Sequence, residues 1–156
     1  SMFDELEESV AGTGRMIGRI AVLLGVLAVA LGIAPARAGT LTLVVDNVQT
    51  SDGAIMVSVG PAEAFAGTVA HPLQVILPAR AGQVTFTTDA LAAGTYAAQV
   101  MHDVNGNGQL DTNLVGMPRE PWGMSNDARG NFGPPEFDDM RFELGADTVI
   151  TIRLEQ

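Results

Sequence analysis

Cysteine is absent from the chain, so an exported domain made from it is held by its core, with or without a bound ion, and never by disulfides. The same absence removes any lipid-anchored cysteine at a processing site. Lysine is absent too; all eight basic residues are arginine, a usage we read as coding bias. Positive charge is scarce altogether. Four of the 18 acids and three of the eight arginines precede Gly39, which leaves fourteen against five and a formal net charge of −9. Such a balance excludes nucleic acid and anionic membrane surfaces as partners, because it repels phosphates over the whole face. It suits a soluble domain, or one that collects cations.

Long apolar runs are also missing, with one exception. Ile20–Ala34 holds fifteen residues without a charge, preceded by Arg15 and Arg19 and followed by the small-x-small sequence Ala36-Arg37-Ala38. These are the three parts of a secretory signal. The run is short of the roughly twenty apolar residues of a membrane span. An uncleaved signal anchor is the alternative reading, and the only route to a membrane. Phe3–Gly14 is acidic and polar, unlike the front of a signal, so Met16 competes with Met2 as the start, and Ser1 reads as a cloning scar. The expectation is a signal peptide within residues 1–38, a mature chain from Gly39, and a periplasmic or secreted location.

Residues 39–156 number 118, enough for one domain that buries roughly two thirds of its unfolded surface. Leu41, Leu43, Val45 and Val48 alternate within Thr40–Gln49, as in a half-buried strand. Asp52-Gly53 makes a turn, and Ala54–Val59 follows with Ile55, Val57 and Val59 on one side, which reads as a hairpin. Pro61–Ala70 is suited to a short helical turn over a sheet edge. Leu73–Leu77, Gln83–Thr88, Tyr96–His102, Met140–Leu144 and Thr148–Leu154 supply five more strands. Seven short strands without a long amphipathic helix predict an all-β fold, an immunoglobulin-like or transthyretin-like β-sandwich.

Val104–Asp138 has no clear periodicity, and a segment so long inside a small domain is usually functional or disordered. Trp122, Phe132 and Phe137 equip it to pack on itself. Its front end runs Asp103-Val104-Asn105-Gly106-Asn107-Gly108-Gln109-Leu110-Asp111. Oxygen-bearing side chains recur at the first, third, fifth and ninth places, with Gly108 at the sixth and the Gln109 carbonyl at the seventh. Hard cations need several oxygens at once, and a glycine turn brings alternate side chains round one ion, as in calcium loops. The twelfth place, where an EF-hand has glutamate, is Leu114; Glu120, Asp138 and Asp139 are the candidates for a replacement carboxylate, and the spacing does not choose among them. The expected metal residues are Asp103, Asn105, Asn107, Gln109, Asp111 and Glu120, and the expected ion is calcium. Plain turn chemistry competes, since Asn, Asp and Gly favour tight turns on their own account.

The string His102-Asp103-x-Asn105-x-Asn107-Gly108-x-Leu110-Asp111-x-Asn113 is followed by Gly116-x-Pro118-x-Glu120, Gly123-x-Ser125-Asn126 and Gly133-Pro134-Pro135-x-Phe137. Together with Gly94-Thr95-Tyr96, it resembles a bacterial secreted family, domain of unknown function 2141, across most of residues 40–154. Met124 departs from the aromatic expected after the glycine. The resemblance implies export and a β-sandwich, and no settled activity.

His102 reads as a ligand contact or general base, or as a hydrogen-bonding partner that orders a loop. His71 reads as a surface turn residue. Trp122 reads as a contact for a sugar or peptide, or as the plug of a small core. Ser125 lacks the strand–elbow–helix setting of a serine nucleophile. Asp138 and Asp139, adjacent on an expected strand, would point to opposite faces. The expected function is a non-enzymatic binding or interaction module of the cell envelope. The alternatives are a metal-dependent hydrolase using His102, Asp103 and Glu120, and a purely structural envelope protein.

Overall fold

The computed structural model describes residues 38–156; the apolar run at Ile20–Ala34 and its reading as a signal lie outside the described residues. Eight strands follow in chain order: β1 Leu41–Val48, β2 Ala54–Gly60, β3 Leu73–Pro78, β4 Gly82–Thr88, β5 Gly94–Asp103, β6 Trp122–Met124, β7 Phe142–Leu144 and β8 Thr148–Arg153. Two one-turn helices accompany them, α1 Ala62–Phe65 and α2 Phe137–Met140, with a 3₁₀ turn at Ser125–Asp127. One sheet has the order β4-β1-β8. The other has the order β3-β2-β5-β6, with β7 also paired to β5. The fold is an all-β sandwich.

Period-two patterning builds its core. Leu41, Leu43 and Val45 of β1 face Ile55, Val57 and Val59 of β2, with Tyr96, Ala98 and Val100 of β5 and Ile152 of β8 in the same buried cluster. Burial of each large aliphatic side chain here is worth about 1.5–3 kcal/mol. The alternation in β1 breaks at Asn47, whose φ is +62°. The ladder with β4 shifts register between Asp46 and Val48, so this is a bulge. It lets Val48 stay buried out of phase, and the Asn47 amide donates to the Leu154 carbonyl at 2.7 Å.

The expected hairpin between β1 and β2 does not form. β1 pairs with β4 and, in parallel, with β8, while β2 pairs with β3 and β5. The five residues between them cross from one sheet to the other. Alternation specifies which face of a strand is buried, not its neighbour; here the two apolar faces meet across the sandwich instead of side by side.

The Val104–Asp138 segment is more regular than its sequence suggests. It contributes β6, a strand beyond the seven expected, and turns back over the outer face of β5. There Ala97, Met124, Ala128 and Met140 form a second small core, flanked by Phe65, Trp122 and Phe137. Met140 closes helix α2 instead of opening a strand, and Asp138 and Asp139 sit in that helical turn. Ser125 and Asn126 latch the layer down. The buried Ser125 hydroxyl accepts the Ala98 N–H at 2.9 Å and donates to the Met140 carbonyl, and the Asn126 amide donates to the Asp139 and Arg141 carbonyls. His71 is half-buried and packs edge-on against Phe65, with ring centroids 4.8 Å apart, and so is no free surface turn residue.

At one edge the two sheets meet. Gly123 faces inward, and a Cβ there would stand 2.7 Å from Ile152 Cγ2 and 2.8 Å from the Arg153 carbonyl. Only glycine allows β8 to pass that close. Trp122 and Glu155 then exchange backbone hydrogen bonds of 2.9 and 3.0 Å, tying β6 to the end of β8.

Candidate functional site

β5 delivers the first two residues of the motif to opposite faces. Tyr96, Ala98, Val100 and His102 share its inner face, and His102 is fully buried at the end of the core. Its Nε2 lies 2.7 Å from the Asp52 carbonyl. A carbonyl only accepts, so Nε2 carries the proton; Nδ1 is buried without a hydrogen-bond partner. His102 thus anchors the Asp52-Gly53 turn and does not reach the outer surface. Asp103, one residue on, points to the other face and opens the loop.

The Asp103–Asp111 loop winds tightly. The Asp103 carboxylate accepts the N–H groups of Asn107 at 3.1 Å and Gly108 at 2.8 Å. Asn105 Oδ1 accepts the Asn107 N–H, and Asn107 Oδ1 accepts the Gln109 N–H. The amide nitrogens of Asn105 and Asn107 both donate to Asp111, at 2.5 and 2.8 Å. Gly106 and Gly108 supply the positive φ that the winding needs, +73° and +77°. Four of the expected metal residues, Asp103, Asn105, Asn107 and Asp111, are therefore joined in one ring, and Gln109 enters it through its N–H.

Glu120 has a different place. It is buried, and its two carboxylate oxygens accept the N–H of Val104 at 2.9 Å and of Asp111 at 3.1 Å. One side chain thus clamps both ends of the loop. Among the described residues no three His, Cys, Asp or Glu side chains gather round one point, so His102, Asp103 and Glu120 do not form a ready cluster. A hard cation at this loop would draw on Asp103 and Asp111 together with asparagine and backbone oxygens. Each asparagine oxygen spends one lone pair on an N–H and keeps a second.

Beyond the ring, the chain builds a groove that sequence reasoning missed. Gln99, Trp122 and Met124 project from the outer face of β5 and β6, and all three line it. So do Val115 and Met117 from one loop and Phe132 from another; the volume is about 1150 Å³. Val115, Met117 and Phe132 are largely or wholly exposed, as is Leu114 beside them. The signal was there to read: four large apolar residues in loops otherwise made of Gly, Asn, Asp and Pro. Trp122 is half-buried, packs on the second core, and carries the Arg129 guanidinium 4.7 Å from its ring centre. Arg129 in turn pairs with Glu155 at 3.1 Å.

No curated protein and no solved structure matches the chain. A family model described as an uncharacterized protein conserved in bacteria, domain of unknown function 2141, matches residues 43–152. That span runs from β1 through the loop and the groove to β8, and the chain belongs to this family.

Proposed function

We propose that the mature domain is an exported, non-enzymatic binding module of the cell envelope, periplasmic or secreted, whose working face is the 104–138 segment. The carrying observation is the groove. Soluble monomers bury most large apolar side chains, and a contiguous exposed set with a polar rim marks a binding surface. Here Val115, Met117 and Phe132 stand exposed beside Trp122, over a rigid sandwich; the Asn113 side chain and carbonyl accept the N–H groups of Val115, Met117 and Gly116 and so hold the first of the two loops. The groove exceeds the roughly 300–1,000 Å³ of small-molecule clefts, and its Met, Phe and Pro lining favours a peptide over a sugar.

Hydrolysis finds less support. His102 and Asp103 face opposite sides of β5, Ser125 is buried with its hydroxyl on backbone atoms, and both Glu120 oxygens are engaged by N–H groups. Peptide and sugar arrays probed with and without calcium test the reading, alongside an esterase and phosphatase screen. Array binding with a silent screen is expected. Metal-dependent turnover that Asp103→Asn abolishes without unfolding the protein would overturn it.

A calcium ion at the Asp103–Asp111 ring is part of the proposal. Two formal charges belong with weak extracellular sites, about 10⁻⁴–10⁻³ M. Millimolar calcium would then stabilise the fold by about 0.4–1.4 kcal/mol, and raise Tm by roughly 2–7 °C over the value in chelator. Asp111→Ala should erase that response. An equal Tm in calcium and chelator returns the loop to turn chemistry alone.

Export rests on the Ala36-Arg37-Ala38 site behind the apolar run. Intact-mass measurement of protein recovered outside the cytoplasm should give a chain that starts at Gly39. Full-length chain recovered with membranes would favour the anchor.

A further inference from the structure

The groove is largely apolar, with one carboxylate and one guanidinium, those of Glu136 and Arg129, in its lining. Glu136 lines it, and Asp139 lines the small depression that adjoins it together with Glu136 and Arg129. Among the described residues neither Glu136 nor Asp139 takes part in an ion pair, whereas Arg129, the basic residue of this wall, is already paired with Glu155. The surroundings add to the sign, since the chain from Gly39 carries a net charge of −9. A cation brought here therefore meets unneutralised carboxylates, and an anion meets repulsion. Trp122 carries the chain's own Arg129 guanidinium on its face, so the cations of a ligand are left to the carboxylates. Apolar anchors have their own seats against Phe132, Met117 and Val115.

Resting on the binding-module reading above, we infer that the groove between Val115–Met117 and Phe132–Glu136 takes an extended cationic peptide with apolar anchors, one whose Lys or Arg side chains meet Glu136 and Asp139. The apolar side chains supply affinity, and the rim charges supply the choice of sign and speed the encounter.

Trp122 is the single tryptophan of the chain, so its fluorescence reports on this groove alone. The titrant is a short peptide in which lysine alternates with phenylalanine and leucine; its partner probe has glutamate in place of lysine. The lysine peptide should give a saturable change, and the glutamate peptide none. Glu136→Gln with Asp139→Asn should weaken binding roughly three- to tenfold, as should raising the salt until the Debye length falls to about 3 Å. Phe132→Ser should weaken it roughly ten- to hundredfold. All three side chains are exposed, so these variants leave the fold intact.

Equal binding of both peptides overturns the cationic choice and leaves the binding face standing. No response to either peptide, while an array-derived sugar still moves Trp122, overturns the peptide and again spares the face. Lysine-peptide binding that Phe132→Ser leaves unchanged removes the ligand from the groove, and the working-face reading falls with it. A Trp122 response to neutral lipid vesicles, without one to the lysine peptide, assigns the groove to a membrane and overturns the inference.

Discussion

Gly53→Ala is expected to be among the most damaging single substitutions in the domain, lowering stability by about 3–5 kcal/mol. Gly53 adopts φ +69°, and a Cβ there would lie 1.9 Å from the Asp103 carbonyl and 2.8 Å from that of Val104. Those are backbone atoms at the root of the loop, so no side chain can swing aside to make room. The neighbouring Asp52 carbonyl holds His102, and the Gly53 carbonyl holds the Ala79 N–H, which pins the turn from two further sides. Gly108→Ala is the control. Its φ is similar, +77°, but a Cβ there meets nothing within 4 Å, so only the left-handed conformation is charged, about 1–2 kcal/mol. Denaturant midpoints of the two variants should differ accordingly. Equal losses would mean that the approach of turn to loop root is looser than the geometry states.

Glu120→Gln should cost about 2–3 kcal/mol and lower Tm by roughly 8–15 °C, although it changes one atom. The carboxylate accepts two backbone N–H groups, one at each end of the loop. Glutamine keeps one acceptor oxygen and turns an NH₂ toward the other N–H, so a buried donor faces a donor. The loss should also appear as faster amide exchange across 104–111. A Tm within about 2 °C of the parent would remove Glu120 from its clamping role and return it to the pool of ion ligands.

The strands were legible where side chains alternate against one core. Leu41, Leu43, Val45, then Ile55, Val57, Val59, then Ile152 and Leu154 are all buried as their spacing indicates. Pairing was less legible, because alternation is blind to neighbours; β1 and β2 therefore looked like a hairpin. β6 escaped notice because three residues with glycine in the middle carry no period. Its existence depends on Gly123 admitting β8, which is a tertiary event. The ring of Asp103, Asn105, Asn107 and Asp111 was readable from spacing, since oxygens two residues apart on a glycine turn must converge. Glu120 was singled out for its charge, but its partners are backbone N–H groups, which sequence does not display. His102 continues the inward series Tyr96, Ala98, Val100, and that parity already pointed it toward the core. The groove depends on loops folding toward one another, so Phe132 and Met117 showed only as apolar residues in polar surroundings.

Amide hydrogen exchange with and without the best-binding array peptide tests the working-face reading most directly, because it asks where on the molecule a ligand sits. Slowed exchange is expected at residues 110–117, in β6, and across 129–137, with the far edge formed by β3 and β4 unchanged. Slowed exchange at β3 or β4, with the groove loops unaffected, would contradict it.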